Sequence, residues 1–142
     1  MRSLVADDSP IVRILLKRIL SQYGDCDEAK DGSEAVTFFV RRVDERNPHD
    51  LICLDLQMPG IDGIKVLEMI RQKEKDQQLK RSRVLVITAE ADIGRVQSAV
   101  ELGADGYLVK PISQQMLADR LAALLPEFGL SLLQFPRTTK AL

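Results

Sequence analysis

Asp50-Leu51-Ile52-Cys53-Leu54-Asp55 is apolar through its middle and ends on a carboxylate. A strand with one wet face alternates apolar and polar residues. A run that is apolar at every position is covered on both faces, as in a parallel sheet flanked by helices. Directly after it, Met58-Pro59-Gly60-Ile61-Asp62-Gly63 is rich in turn formers, and a helix carrying Ile64, Val66, Leu67 and Ile70 follows.

The same strand–turn–helix unit recurs on both sides. Upstream, Leu4-Val5-Ala6 stops at Asp7-Asp8, and Ser9-Pro10 opens a helix. Serine suits the N-cap, and proline, with its preset φ and no N–H to satisfy, suits the first helical position. Ile11, Leu15 and Ile19, with Ile14 beside them, repeat at helical spacing until Tyr23-Gly24. A short strand over residues 25–29 precedes Asp31-Gly32-Ser33-Glu34, a capping-box pattern, and the apolar stripe Ala35, Val36, Phe39, Val40 and Val43. Asn47-Pro48 stops that helix, because the residue before proline is pushed out of helical geometry.

Downstream, residues 71–83 hold six basic and two acidic residues and read as a helix end plus a loop. Val84-Leu85-Val86-Ile87 is a second doubly covered strand, ending at Thr88. Ile93, Val96 and Val100 mark a helix closed by Gly103, and Gly106-Tyr107-Leu108-Val109 is a last strand ending at Lys110-Pro111. Ser113 caps a final helix with Met116, Leu117, Leu121 and Leu124 inward, limited by Pro126. Strands alternating with helices predict an α/β fold: a doubly wound parallel sheet of five strands with five helices, joined by right-handed crossovers.

The 142 residues fit one domain, with 45% hydrophobic and 29% charged residues. Lys plus Arg (20) nearly cancels Asp plus Glu (21), which argues against direct nucleic-acid binding. The basic residues 71–83 have no interleaved aromatics to stack on bases. No apolar run approaches the ~18 residues that span a bilayer, and the N-terminus lacks a signal-peptide pattern, so no membrane insertion and a cytoplasmic location are expected. Cys53 reads as core, and neither it nor Cys26 has a metal-ligand spacing. The sole histidine, His49, follows Pro48 and reads as a solvated loop residue.

In doubly wound sheets the ligand site lies beyond the carboxyl ends of the strands. The polar residues there are Asp7 and Asp8, Asp55, Thr88 and Lys110. Taken singly, each is ordinary: a strand-end Asp is a turn residue, Asp8 suits an Asx-type cap, Thr88 is a β-branched strand residue, Lys110 a surface lysine. Together they form a carboxylate cluster that needs a compensating cation, and all-oxygen ligands suit Mg²⁺. A lysine and a hydroxyl facing such an ion complete a pocket for an oxyanion such as phosphoryl.

Val5-Ala6-Asp7-Asp8-Ser9, Leu54-Asp55-Leu56-Gln57-Met58-Pro59-Gly60-Ile61-Asp62-Gly63, Ile87-Thr88-Ala89 and Gly103-Ala104-Asp105-Gly106-Tyr107-Leu108-Val109-Lys110-Pro111 occur in this order. This set resembles the receiver domain of two-component response regulators over residues 3–125. The resemblance implies a flavodoxin-like fold with strand order 2-1-3-4-5, and phosphorylation of Asp55 by a sensor histidine kinase or phosphotransfer protein. It implies that Asp8, Asp55 and the Gln57 carbonyl bind Mg²⁺ (or Mn²⁺), with Asp7 acting through a water. Lys110 would pair with the phosphoryl group or, beforehand, with the Asp55 carboxylate, and Thr88, helped by the Ala89 amide, would donate to a phosphoryl oxygen. Gln57 and Glu90 would tune its hydrolysis. Lys110-Pro111 resembles the family's cis peptide. By residue type Tyr107 is a strand aromatic; its place three residues before Lys110 matches the family's switch position.

The resemblance further implies a signalling phosphoacceptor, not a turnover enzyme. Its last two helices and last strand would bind a separate target protein or a second copy of the chain. Residues 1–125 would be the receiver and 126–142 a tail or linker stub, so the chain reads either as a chemotaxis-type single-domain regulator or as the receiver part of a longer one. Two neighbouring chemistries fit less well. A haloacid-dehalogenase-type phosphatase needs a second Asp two residues past the nucleophile, where Gln57 stands. A flavodoxin-type nucleotide binder needs a Gly- or hydroxyl-rich loop where Asp7-Asp8 stands. A phosphorylation-independent pseudo-receiver would have lost pocket residues that this chain keeps.

Overall fold

Side-chain caps start four of the helices in a computed structural model of the protein, which describes residues 1–89 and 92–129. Ser9 Oγ accepts from Val12 N, Asp31 Oδ1 from Glu34 N, Asp62 Oδ1 from Lys65 N, and Ser113 Oγ from Met116 N. Each satisfies one N–H that the helix itself leaves without a partner. The elements are β1 (Ser3–Ala6), α1 (Pro10–Leu20), β2 (Cys26–Ala29), α2 (Gly32–Asp44), β3 (Leu51–Leu54), α3 (Gly63–Gln77), β4 (Arg83–Thr88), α4 (Ile93–Glu101), β5 (Gly106–Val109) and α5 (Gln114–Leu124). A 3₁₀ turn, Ser21–Tyr23, closes α1 before Gly24, and another, Pro126–Phe128, follows α5.

The strands form one sheet in the order β2-β1-β3-β4-β5, and every pairing is parallel. The five-stranded, flavodoxin-like arrangement expected from the sequence is the one observed. Successive strand residues point to opposite faces, which splits the core in two. Leu4, Ala6, Ile52, Leu54, Val84 and Val86 meet Phe39 of α2, Leu67 and Ile70 of α3, and Val96 of α4. Val5, Leu51, Cys53, Leu85, Ile87 and Leu108 meet Leu16 and Ile19 of α1 and Leu117 and Leu121 of α5. Each buried aliphatic side chain contributes about 1.5–3 kcal/mol relative to exposure.

The helix faces differ from the sequence expectation. Val12, Leu16, Ile19 and Leu20 of α1 face the sheet, whereas Ile11 and Ile14 are 70% and 62% exposed. Apolar residues surround this helix on most sides, so spacing alone does not select the inward stripe; contact with the sheet does. In α4, Val96 and Ala99 are buried while Ile93 and Val100 face outward, and in α5 Met116 is exposed.

His49 is not a solvated loop residue. It is buried, with Nε2 2.8 Å from Asp27 Oδ2, and its carbonyl accepts from Ser82 Oγ at 2.6 Å. Arg42 grips the same Asp27 carboxylate through Nε at 2.9 Å and Nη2 at 3.0 Å. The residue after Pro48 thus carries a ring that tethers β2 to the segment leading into β3. Residues 71–83 are the helix end and loop expected, but Arg71 has partners that the sequence does not announce. It lies in α3 with its side chain 15% exposed, and donates to Glu74, Asp105 and the carbonyls of Ser82 and Gly103. The 71–83 stretch is therefore partly a staple across the amino end of β4.

Burial holds His49 below its usual 6.5 against the opposing pull of Asp27. Asp27 is also depressed: burial works to raise it, but Arg42 and then His49 outweigh that. A depressed histidine contributes stability that is present above its unfolded pKa and lost as pH falls. The stability difference between wild type and His49→Gln should therefore grow from about pH 5 to about pH 7. Urea midpoints across that range measure it, and a difference that shrinks with rising pH contradicts the assignment.

Candidate functional site

The sheet's own ladders bring the carboxyl-end residues together. Asp7 N donates to Ala29 O at 3.1 Å, Asp55 N to Ala6 O at 2.9 Å, and Lys110 N to Thr88 O at 2.8 Å. These bonds continue the parallel register one residue past the strands and set Asp7 beside Asp55. Beyond Asp55, buried Leu56 and Met58 anchor the loop. Gly63 N donates to Leu56 O at 2.9 Å, and a Cβ at position 63 would lie 2.1 Å from the Asp55 carbonyl oxygen. Only glycine lets α3 begin this close to the site.

Asp7 and Asp55 are buried and Asp8 is exposed at the rim; one carboxylate oxygen from each lies within 4.8 Å of the others. Lys110 Nζ donates to Asp7 Oδ2 at 2.8 Å and approaches Asp55 Oδ2 at 3.4 Å. The sequence expectation paired Lys110 with Asp55; Asp7 is its nearer partner. Asp55 Oδ1 accepts from Gln57 N at 3.1 Å, and Asp7 Oδ1 accepts from Ser9 N at 2.9 Å. The Asx-type bond at the start of α1 thus belongs to Asp7, not to Asp8. Arg13 Nη1 donates to the Asp7 carbonyl at 2.7 Å, a contact without a sequence signal.

Burial first, and the Asp7 charge second, push the Asp55 carboxyl up to about 6 against the pull of the Gln57 amide and Lys110. Lys110 is raised as well: burial opposes its charge, and Asp7 and then Asp55 outweigh burial. The three clustered acids are all hard oxygen donors, and one ammonium does not neutralise them. That donor set suits Mg²⁺, and Asp7, Asp8 and Asp55 are the side chains able to hold it.

Thr88 Oγ1 is fully buried beside this edge and has no hydrogen-bond partner among the described residues. Buried hydroxyls are normally paired, so Thr88 retains a donor for an oxyanion. Ala89 and the Gln57 side chain are exposed. Tyr107 on β5 is 40% exposed, and the register pairs it with Val86, two residues before Thr88 on β4. The Lys110-Pro111 peptide is cis, as the resemblance implied. Glu90 lies outside the described residues. The structure thus brings Asp7, Asp8, Asp55 and Lys110 into contact range, with Thr88 on the neighbouring strand end. Asp62, as cap of α3, and Gly63, as the point of close approach, were missed as site residues in the sequence. Both sit in the turn-rich loop it had singled out.

Residues 4–122 match the family model of the response regulator receiver domain. The transcriptional regulatory protein ResD of Bacillus subtilis is 38% identical over 123 residues, which cover 86% of this chain and 47% of ResD. The chemotaxis protein CheY-3 of Vibrio cholerae is 34% identical over 123 residues, covering 85% of this chain and 88% of CheY-3. The chain therefore spans about half of the one relative and most of the other. Among solved structures, the REC domain of AraT, a response regulator from Geobacillus stearothermophilus, superposes with a TM-score of 0.75 at 27% identity, covering 90% of this chain and 95% of that one. The CheX–CheY–BeF₃–Mg²⁺ complex from Borrelia burgdorferi gives a TM-score of 0.75 at 28% identity, with 88% and 89% covered.

A carboxyl raised in the folded state favours folding below its unfolded pKa of 3.8 and loses that contribution as pH rises through about 6. In chelator at neutral pH, Asp55→Asn should therefore raise stability by on the order of 1 kcal/mol. Added Mg²⁺ should stabilise the wild type more than this variant. A destabilised Asp55→Asn in thermal melts, or equal Mg²⁺ responses, would contradict the site as described.

Proposed function

The chain belongs to the response regulator receiver domain family of two-component systems, signalling phosphoacceptors that generally bind Mg²⁺ through an acidic cluster, and from that premise we propose that Asp55 is its phosphoacceptor. The observation that carries the proposal is the juxtaposition of a buried Asp55 with Lys110 on one side, the Asp7–Asp8 pair on another and the unpartnered hydroxyl of Thr88 nearby. A carboxylate oxygen of Asp55 attacks the phosphorus of a phosphohistidine. The O–P bond forms, the N–P bond breaks, and the departing imidazole takes up a proton.

The chain's own groups then divide the work. Asp8, Asp55 and the Gln57 carbonyl would hold Mg²⁺, with Asp7 acting through a water, and the ion would supply positive charge for the transfer of an anionic group. The Gln57 amide and Lys110 orient the Asp55 carboxylate for attack. Lys110 subsequently pairs with a phosphoryl oxygen, and Thr88 Oγ1 and the Ala89 amide donate to others. Gln57 and Glu90, flanking the pocket, set how readily water reaches the phosphoryl group. Phosphorylation adds charge at Asp55, Thr88 moves toward it, and Tyr107 turns inward into the vacated space.

The surface that responds is α4–β5–α5, where Val100, Tyr107 and Met116 are already exposed apolar groups. We assign to it the target protein, or a second copy of the chain. The donor is a histidine kinase or a phosphotransfer protein, and the setting is the cytoplasm. No helix of the described residues is long and apolar enough to cross a membrane. Residues 1–125 form the receiver. Residues 126–142 serve as a tail or linker; beyond Gly129 they lie outside the described residues. The same site serves a single-domain regulator such as CheY-3 or a receiver joined to an output part, as in a protein of ResD's length.

Incubation with Mg²⁺ and acetyl phosphate should yield an acid-stable, base-labile phosphoryl group, absent from Asp55→Asn. Labelling that persists in that variant would sink the assignment. Lys110→Ala should keep Mg²⁺ binding yet lose the response of the α4–β5–α5 amides to beryllofluoride in nuclear magnetic resonance spectra. An unaltered response would remove Lys110 from the switch.

A further inference from the structure

Helix α4 is fastened at its two ends by contacts of unequal strength. Past its carboxyl end stands Gly103, at φ +102°. The Gly103 carbonyl accepts from Arg71 Nε at 3.1 Å, Arg71 Nη2 at 2.8 Å and Arg81 Nη2 at 2.7 Å. Asp105, two residues on, accepts from Arg71 at 3.1 Å, from Arg81, and from the Val84 amide at 2.8 Å. This end is tied to α3 and β4 by several charge-assisted bonds that share partners, and Arg71 is mostly buried.

Among the described residues, the amino end has one such tie. Arg95 Nη2 lies 3.0 Å from Asp62 Oδ2, with both side chains roughly a third to a half exposed. Asp62 is simultaneously the cap of α3, through its other oxygen. Asp92, the N-cap residue of α4, makes no side-chain capping bond. The helix buries only Val96 and Ala99, whereas α3 buries Gly63, Val66, Leu67, Ile70 and Glu74. The least costly motion of α4 is therefore a pivot about its carboxyl end that parts Arg95 from Asp62.

We infer that the Asp62–Arg95 ion pair is a latch that holds the amino end of α4 in the unphosphorylated arrangement, so that its strength sets how readily the domain switches. Arg95 is a positioning residue in this sense; it touches no reacting atom. The inference rests on the phosphoacceptor reading of Asp55. The arrangement in which the pair is seen has Tyr107 outward, Thr88 Oγ1 unpartnered and Lys110 on Asp7. A contact made in one state and not the other reduces the apparent affinity of any ligand that selects the second state. For a half-exposed pair that reduction is about two- to fivefold.

The test uses the full chain, saturating Mg²⁺ and beryllofluoride as the probe, with half-saturation read from the Val96 and Ala99 amide signals. Arg95→Gln and Asp62→Asn should each lower the half-saturating concentration about two- to fivefold. Asparagine keeps the α3 cap, so Asp62→Asn removes the charge without removing the helix start. The double variant should fall no further than the single ones, and Arg95→Lys should stay near wild type. The common direction is diagnostic: a long-range field effect would shift the two charge removals in opposite senses. Unchanged or raised half-saturation in Arg95→Gln, or opposite shifts, overturns the latch while a wild-type response lost in Asp55→Asn leaves the phosphoacceptor reading standing. A wild type without response overturns both.

Discussion

Two carboxylates, Asp7 and Asp55, share the ammonium of Lys110 across three strands that are far apart in the chain. Neither acid is solvated enough to be indifferent to the other, and one cation does not balance them once Asp8 is counted. Such an arrangement costs stability and persists only because the surroundings over-determine it. Apolar packing on both faces of the sheet supplies that rigidity. Parallel ladders carried one residue past the strands fix where the charged groups emerge. Gly63 permits α3 to close against the Asp55 backbone, where any larger residue would push the Asp55 loop away.

The opposite pole of the sheet has the reverse character. There the charges are paired: Asp27 with Arg42 and His49, Asp105 with Arg71 and Arg81, Glu74 with Arg71 and the Ser82 amide. These contacts tie the amino ends of β2, β3, β4 and β5 to α2 and α3. One end of the molecule holds paired charges, and the other holds an excess of like charge and, among the described residues, an unpartnered Thr88 hydroxyl. Under the proposed function a phosphoryl group and a metal ion would act on the second end, and the first end would supply the frame against which α4 and β5 move.

Much of this was legible in the chain. Continuous apolar runs at residues 51–54 and 84–87 read as doubly covered strands because a parallel sheet leaves no wet face to alternate with. Ser9, Asp31 and Ser113 announced their helices because a cap is a local bond between residues three apart. The inward faces of α1, α4 and α5 were less legible. When apolar residues lie around most of a helix, the sheet it meets selects the stripe, and that choice is not local. His49 was misjudged, and the contacts of Arg71 were not foreseen, for the same reason: their partners Asp27 and Asp105 lie 22 and 34 residues away.

Local chemistry alone determined the alternation of strands and helices, the residues that stand at the strand ends, and the family to which their order belongs. Those depend on patterns a few residues long. The tertiary structure decided which of these residues are neighbours at bonding distance, that Lys110 lies nearer Asp7 than Asp55, and that Thr88 Oγ1 has no partner among the described residues. It also decided that several charge-assisted bonds hold the carboxyl end of α4 and, among the described residues, one ion pair its amino end. These properties come from strand register and helix docking, which bring together groups that no short-range preference of the chain connects.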